Sequence, residues 1–228
     1  MTLNRRLAAE ALGTALLLAA IIGSGIMGER LASGNVAVAL LANSIATGAA
    51  LIALISAFGT VSGAHFNPMV TVAAAVNREL TWHQARCYIV VQIAAAFAGV
   101  AAAHWMFGEP AFFASRHVRS GGAQWWSEFI ATFGLLSVII GCARSRPEAV
   151  PYVVGCYIAA AYWFTGSTSF ANPAVTLARA ASDTFAGIRP VDAPLFVLAQ
   201  IAGGLMAIGT MRWLIAPIRK NQPNLPVM

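Results

Sequence analysis

Residues 67–71 read Asn-Pro-Met-Val-Thr and residues 172–176 read Asn-Pro-Ala-Val-Thr, so one short motif occurs twice in this chain. Each copy opens a short apolar stretch, at 67–76 and 172–181. Asn is a preferred N-cap and Pro is favoured at the first helical position, so we expect each copy to begin a helix. Ten helical residues cover about 15 Å, which is half of a hydrocarbon core about 30 Å thick.

The rest of the chain has the composition of a membrane protein. Of its 228 residues, 59% are hydrophobic and only 10% are charged, which excludes a soluble domain and a disordered chain. A membrane-spanning helix needs about 20 mostly apolar residues, and six stretches qualify, although the fifth is short. The predicted spans are 7–27, 36–58, 82–105, 125–142, 150–165 and 193–215.

These spans predict an all-α membrane protein with six transmembrane helices and two re-entrant half-helices. We expect one channel domain over residues 1–228, in which the polar, proline-rich segment 217–228 is a flexible cytoplasmic tail. Half-helices at membrane depth are tolerated only where protein buries them or where they line a cavity. The two Asn-Pro segments are therefore the candidate functional site.

The two halves of the chain carry the same landmarks in the same order. Glu10 and Glu128 stand near the start of a span, the Asn-Pro motif follows, and Gln92 and Gln200 each begin a Gln-Ile-Ala sequence. We assign repeat one to about 7–105 and repeat two to about 125–215. Three spans are an odd number, so the second repeat inserts upside down relative to the first. The half-helices then enter from opposite faces and meet near the middle of the membrane.

The charges predict the orientation and exclude some partners. Nine of the 14 Lys and Arg residues lie at the termini and in the loops after spans two and four, and five lie in the other loops. This bias predicts cytoplasmic termini in a cell inner membrane or plasma membrane. The net charge of +6 is scattered between apolar runs, so we expect no nucleic-acid partner. Three cysteines on separate spans and a Gly-rich segment at 23–28 predict neither a metal site nor a cofactor.

The Asn caps predict what the site does. Asn67 and Asn172 should turn their side-chain amides toward the space between them, and the positive ends of both half-helix dipoles should point at the same place. Such a place suits neutral hydroxyl solutes and repels cations and protons. The sequence therefore predicts a passage for small uncharged molecules rather than an enzyme active site.

These motifs resemble those of the major intrinsic protein family, the aquaporins and aquaglyceroporins. The resemblance runs over about residues 7–215 and includes Ser-Gly-Ala-His-Phe-Asn-Pro at 62–68 and Asn-Pro-Ala at 172–174. It implies a homotetramer with one pore per subunit and passive flow of small neutral solutes through the bilayer. It also implies that His65 lies in the vestibule and that Glu10 and Glu128 brace the half-helix loops. Pro68 and Pro173 would begin the half-helices.

Two positions depart from the family pattern. Met69, which we expect to border the pore, stands in the first motif where the family usually has Ala, and Val175 follows the second motif where the family usually has Arg. That Arg is one wall of the family's selectivity filter. The other three filter positions are assigned by their spacing from the two Asn residues in the family. In span five, a shift of one turn would select Tyr162 or Trp163 instead of Ala160. The expected filter is Thr47, Ala160, Ser169 and Val175.

A filter of these residues is wide and carries neither charge nor aromatic ring. It resembles that of bacterial aquaglyceroporin-like channels associated with arsenic resistance, and it predicts flow of arsenite-like trihydroxides and glycerol-sized polyols, with water also able to pass. Two alternatives stay open: a water-selective aquaporin, and a proton-coupled secondary transporter that uses Glu10 and Glu128 as proton relays. We expect Arg179, four residues after Val175, either to line the outer vestibule or to lie at the lipid headgroups or pair with Asp183.

Overall fold

The structure is a computed structural model that describes residues 1–215, so the predicted tail at 217–228 lies outside the described residues. Within residues 1–215 the chain forms eight α-helices and no β-strand. The helices are α1 (Leu3–Leu31), α2 (Val36–Ser62), α3 (Pro68–Val76), α4 (Trp82–Met106), α5 (Gly122–Ser145), α6 (Val150–Phe164), α7 (Pro173–Arg179) and α8 (Ala193–Leu214).

The helix lengths fit the predicted membrane fold. Five helices of the described chain, namely α1, α2, α4, α5 and α8, are long and apolar enough to cross a membrane. The remaining predicted span, the fifth, corresponds to α6, which has only 15 residues and follows a 3-10 turn at Pro147–Ala149. The predicted starts at 36, 82, 150 and 193 are confirmed, whereas α1, α2 and α5 extend further than predicted. The half-helices α3 and α7 are shorter, with nine and seven residues.

Local capping explains several of these boundaries. The Asn35 side chain accepts hydrogen bonds from the amides of Ala37 and Val38 and so begins α2. Thr81 and Gln84 form a capping box at the start of α4. Helix α2 ends at Ser62 and is followed by the C-cap Gly63, whose φ of 89° lies in the left-handed region that glycine adopts without steric cost. The chain then turns directly into the loop that leads to α3.

Packing of the helices follows an approximate twofold pattern. Helix α1 packs against α2 and α4 just as α5 packs against α6 and α8, and α2 contacts α6 between the halves. Each half-helix contacts the last span of both halves, since α3 and α7 both touch α4 and α8. Helices α2 and α6 approach closely at two glycines: a Cβ on Gly155 would lie 2.5 Å from the carbonyl oxygen of Gly48. Small residues allow such contacts between membrane helices.

Large apolar side chains cover the outer surface of this bundle. They are exposed on α1, α2, α4 and α8, where a soluble protein would carry polar groups. Examples are Leu12, Leu16, Ile45, Val90, Leu198 and Leu205. This surface is suited to lipid or to neighbouring subunits, and it leaves the polar groups of the half-helices in the interior.

Candidate functional site

The two half-helices begin as the motifs predicted. The Asn67 side-chain oxygen accepts from the Met69 amide at 2.9 Å. The Asn172 side-chain oxygen accepts from the amides of Ala174 and Val175 at 3.0 and 3.3 Å. The residues at the first helical position are Pro68 and Pro173.

The two caps meet and hold each other in place. The Asn67 amide nitrogen donates to the Ala171 carbonyl at 2.8 Å, and the Asn172 amide nitrogen donates to the Phe66 carbonyl at 2.8 Å. A carboxamide nitrogen carries two hydrogens, so each Asn keeps one N–H beyond this bond. Both side chains border the same cavity. The structure therefore brings together the two residues that the sequence set more than 100 positions apart.

The backbone before each Asn is unusual in the same way in both halves. Ala64 and Phe66 have φ values of 48°, and Ser169 and Ala171 have values of 50° and 49°. Non-glycine residues in this left-handed region are unfavourable by about 1–2 kcal/mol each. Such conformations persist only where surrounding contacts hold them.

Glu10 supplies those contacts in the first half. It is fully buried, and its carboxylate accepts hydrogen bonds from the amides of His65 and Phe66 at 3.0 and 2.8 Å. It also accepts from the Ser62 hydroxyl at 2.6 Å and from the Gln92 side chain at 2.8 Å. A buried carboxylate with four donors is fully satisfied. Glu10 thus connects α1 and α4 to the first loop.

Glu128 does the same in the second half. It accepts from the amides of Phe170 and Ala171, each at 2.9 Å, and from the Gln200 side chain at 2.6 Å. Gln200 also donates to the Thr176 hydroxyl at 2.8 Å, which ties α8 to the half-helix α7. These bonds support the bracing role. Neither Glu borders the cavity between the two Asn caps.

The cavity between the caps, called the pore cavity below, has an apolar wall and a polar wall. Leucine, isoleucine and valine side chains of α1, α2, α5 and α6 form the apolar wall. The polar lining comes from the two loops, the half-helix α7, the middle of α2 and the C-terminal end of α6. Its members are Thr47, His65, Asn67, Tyr162, Ser169, Asn172 and Arg179.

The structure places one expected filter residue away from the pore cavity and one of its alternatives on the lining. Ala160 does not border the pore cavity and is exposed on the outer face of α6. Tyr162 borders it, and its hydroxyl lies 3.1 Å from the Thr47 hydroxyl. Two residues along an α-helix are about 200° of rotation, so the two side chains point in nearly opposite directions. Trp163, the other alternative, is exposed and donates to Ser44.

The other expected filter positions border the cavity. Thr47, Ser169 and Val175 all line it. Val175 lies on α7 between the Asn172 cap and Arg179. Met69, which we expected at the pore, does not border the cavity. It is buried against α8, where a Cβ on Gly204 would lie 2.5 Å from the Met69 methyl carbon. The larger first-motif side chain is therefore accommodated by a glycine on the neighbouring helix.

Arg179 borders the cavity and is almost completely buried, with 2% of its surface exposed. Its Nε donates to the Ala186 carbonyl, and its guanidinium carbon lies 3.3 Å from the centre of the Phe170 ring. The alternative pairing with Asp183 is wrong, because Asp183 pairs with Arg116 at 2.7 Å. The alternative position at the lipid headgroups is also wrong, since that needs an exposed side chain.

A chain segment that sequence reasoning did not single out closes around this end of the cavity. Phe113 and Ser115 donate from their amides to the carbonyls of Ala181 and Ala180 at 3.1 and 3.0 Å. Arg119 donates to the carbonyl of Gly187 at 2.8 Å. We call this end, formed by α7 with residues 113–119, the distal mouth. The sequence signal for it was weak, because these residues have no periodicity and contact others far along the chain.

Two ion-paired carboxyls stabilise the distal mouth. The backbone amide of Arg116, followed by its guanidinium, holds the pKa of the Asp183 carboxyl below its usual value. The Arg189 guanidinium does the same for the pKa of Asp192, at 2.9 Å. Both carboxyls are therefore ionised at neutral pH and engaged with surface arginines.

The opposite end lies beside the described ends of the chain, and we call it the terminal mouth. His65 borders it and contacts the Thr71 hydroxyl through Nδ1 at 3.1 Å. The His65 ring lies 5.5 Å from the ring of Tyr88, whose hydroxyl accepts from Arg6 at 2.7 Å. The predicted place of His65 in a vestibule thus fits its position. No group of three or more potential metal ligands occurs in the described residues 1–215.

The helical fold and the two Asn-capped half-helices around one cavity define a membrane channel. Residues 1–171 match the sequence model of the family described as Major intrinsic protein. Aquaglyceroporin AqpS from Rhizobium meliloti (strain 1021) is 53% identical over 217 residues, which are 95% of this chain and 93% of that protein. Aquaporin NIP1-4 from Oryza sativa subsp. japonica is 32% identical over 89% of this chain and 74% of its own length. The chain belongs to the major intrinsic protein family.

A solved structure agrees with the fold. The X-ray structure of the aquaglyceroporin from Plasmodium falciparum covers 95% of this chain and 98% of its own with a TM-score of 0.76, at 20% sequence identity. At that identity the match concerns the fold alone. It confirms the predicted arrangement of spans and half-helices, and the family confirms the prediction of a channel for small solutes.

Proposed function

We propose that this channel passes glycerol-sized polyols and arsenite-like trihydroxides, together with water. The carrying observation is Val175, which borders the pore cavity at the position where the family usually places a bulky, charged Arg. A valine there leaves more width and removes a group that would compete for the solute's hydroxyls. The name of the Rhizobium relative, an aquaglyceroporin, is in keeping with this solute class.

The polar and apolar walls support the same solute class. A polyol carries hydroxyls on one side and carbon on the other, and the pore cavity offers the Asn67 and Asn172 amides opposite aliphatic side chains. Hydrogen bonds to the amides offset the loss of hydration as the solute enters. The water-selective alternative is less well supported, because a strict water pore needs a narrow constriction and Val175 leaves more width than the Arg usual at this position.

The transporter alternative is disfavoured by the position of the two acids. Glu10 and Glu128 are each occupied by backbone amides and a glutamine, and neither borders the pore cavity. A proton relay needs groups that exchange protons with the pathway. Flux through this chain should therefore be indifferent to a proton gradient.

We also propose a homotetramer with one pore per subunit, in a cell inner membrane or plasma membrane with cytoplasmic termini. The exposed apolar side chains on the outside of the bundle are suited to subunit contacts and to lipid. The excess of Lys and Arg on the side of the termini supports this orientation. In that orientation the distal mouth is extracellular, and Arg179 is the cation of the outer vestibule.

One swelling series tests the solute class. Liposomes with and without the purified chain are mixed with a hyperosmotic solution of an impermeant solute to measure water flux. They are mixed with hyperosmotic glycerol, urea or trihydroxyarsenic to measure solute entry, and the light-scattering rates are compared. We expect faster entry of glycerol and trihydroxyarsenic than in empty liposomes, with or without a proton gradient. Water flux alone would contradict the proposed class, and gradient-dependent uptake would favour the transporter.

A further inference from the structure

The distal half of the pore cavity contains a buried cation without a counter-ion. Arg179 is 2% exposed, and the only hydrogen bond of its side chain to residues 1–215 is from Nε to the Ala186 carbonyl. The three salt bridges of the described chain pair other arginines with Glu109, Asp183 and Asp192. Asp183 and Asp192 of this mouth are thus engaged by other arginines, and Glu128 is bound to backbone amides.

A second guanidinium adds to the positive charge. The Arg119 guanidinium carbon lies 5.1 Å from the centre of the Phe170 ring, and that of Arg179 lies 3.3 Å from the same centre. The Arg119 side chain donates to the carbonyls of Gly187 and Ser167 rather than to a carboxylate. Ring and carbonyl contacts offset part of the desolvation of these cations, but they do not neutralise them.

Hydrogen-bond donors at the same place are in excess. An arginine has five N–H donors, and the four on the terminal nitrogens of Arg179 have no partner within the described chain. The hydroxyls of Thr47 and Tyr162 share one hydrogen bond of 3.1 Å, which uses one of their two hydrogens. The other hydrogen is available to the cavity. The ligand that best fits this positive charge and these free N–H and O–H donors is a negatively charged group that only accepts hydrogen bonds.

We infer that the distal half of the pore cavity, bordered by Arg179, Thr47 and Tyr162, binds a small planar oxyanion of single charge. The two terminal nitrogens of a guanidinium present parallel N–H groups that fit two oxygens of such an anion. The spare hydroxyl hydrogen binds a further oxygen. An anion held here occupies the path of neutral solutes, so it inhibits their flux.

Nitrate is a suitable probe because it is planar, carries one charge and stays ionised at every pH used. Chloride is the matched control, since it has the same charge but only one atom and cannot place a separate acceptor opposite each nitrogen. Glycerol-driven swelling of liposomes containing the chain is measured with sodium nitrate or with sodium chloride on both sides at equal ionic strength. Nitrate should slow glycerol entry in a saturable way, whereas chloride should not.

Three variants locate the site. Arg179→Gln should weaken inhibition by nitrate by about tenfold or more, the usual effect of losing charge-assisted hydrogen bonds. Arg179→Lys keeps the charge without the paired N–H groups and should be intermediate, and it stays informative if the Gln variant does not fold. Arg116→Gln removes an exposed arginine of the same mouth and should leave inhibition unchanged.

The flux assay rests on the proposed channel function, because it requires that the chain conducts glycerol. A binding measurement does not, and it therefore separates the two proposals. Nitrate should raise the melting temperature of the detergent-solubilised parent more than chloride does, and Arg179→Gln should remove the difference. If the parent passes no glycerol but shows this stabilisation, the solute proposal fails and the anion site stands. In a parent that passes glycerol, equal inhibition in the parent and Arg179→Gln, stabilisation without inhibition, or neither effect would each overturn the inferred site.

Discussion

The two Asn-Pro loops share one scaffold and differ in the side chains placed on it. In both halves a buried Glu binds the loop amides, a Gln joins that Glu to a Thr of the half-helix, and left-handed residues precede the Asn. Two residues before the Asn the halves diverge. His65 lies there in the first loop, and Phe170 lies there in the second.

The surroundings of these two residues give the two mouths different chemistry. The His65 ring faces Tyr88 at 5.5 Å, and the Phe170 ring faces Phe196 at 5.3 Å, although Tyr88 and Phe196 precede matching glutamines by four residues. The terminal mouth thus has an imidazole, whereas the aromatic ring at the distal mouth supports guanidinium groups. The scaffold sets the geometry of the pore, and single substitutions on it set what each mouth attracts or repels.

Removal of the Glu residues should have the largest effect on the shared scaffold. Glu10→Ala and Glu128→Ala each leave buried amides without acceptors, so each should destabilise the protein by about 3 kcal/mol or more. Glu10→Ala should be the worse, because Glu10 accepts four hydrogen bonds and Glu128 three. Thermal unfolding in detergent, followed by circular dichroism, measures the difference.

The exposed Glu29 of α1 provides the control, and Glu29→Ala should unfold like the parent. If all three variants melted at the parent's temperature, the carboxylates would not be what holds the left-handed residues in place.

A smaller effect is expected at the third position after the Asn. Both halves of this chain have Val there, at Val70 and Val175, whereas the family usually has Arg in the second half. Val175→Arg should slow entry of glycerol and trihydroxyarsenic by about thirtyfold, a barrier change of about 2 kcal/mol, while water flux stays measurable. Stopped-flow swelling tests this, with Val191→Arg on the surface as a control for the added charge. Unchanged solute flux would show that Val175 does not border the constriction.

Arg179 sharpens the contrast between the mouths, because Ala74 occupies the matching position of the first half. Arg179→Ala should raise cation leakage about tenfold, since a loss of about 1.4 kcal/mol of repulsion changes a rate by that factor. Neutral-solute flux should persist. A pH-sensitive dye inside vesicles follows the leak, with an ionophore as the upper reference. Tight vesicles in the variant would mean that the Asn caps alone exclude cations.

The pair formed by Met69 and Gly204 tests how the halves compensate for different motif residues. Gly204→Ala places a Cβ near the Met69 methyl carbon, so it should destabilise the protein by about 1 kcal/mol. The double variant with Met69→Ala should recover part of that loss, because the collision is removed. Melting temperatures of the single and double variants give the coupling. Additive effects would argue against a direct contact.

The smallest effect is expected at the surface of the distal mouth. Asp183→Asn should lower stability by about 0.5 kcal/mol at neutral pH, as exposed ion pairs usually do. The folded pKa of Asp183 is lowered, so its contribution is present above the unfolded pKa of about 3.9 and is lost as pH falls through the folded pKa. The parent and Asp183→Asn should therefore differ equally from pH 5 to 8 and converge in stronger acid. A difference that varies between pH 5 and 8 would point to another titrating group.

Much of this architecture could be predicted from local signals in the sequence. Runs of about 20 apolar residues have few alternatives to membrane helices, because lipid offers no partners for backbone polar groups. Asn followed by Pro is a local helix start, and it placed α3 and α7 within one residue of their observed beginnings. The order of Glu, Asn-Pro and Gln in both halves indicated the repeat without any knowledge of contacts.

The errors concern side-chain direction, which depends on packing between distant segments. Ala160 was selected by spacing, but the rotation of α6 against α2 is set by the close approach of Gly155 to Gly48, and this turns Tyr162 toward the pore cavity. Met69 was expected at the pore, but its side chain packs against α8 in the space left by Gly204. The role of residues 113–119 depends on contacts with loops about 50 to 70 positions away in the chain. Local propensity and hydrophobicity thus suffice for helices and their caps, whereas the atoms that a solute meets follow from how those helices pack.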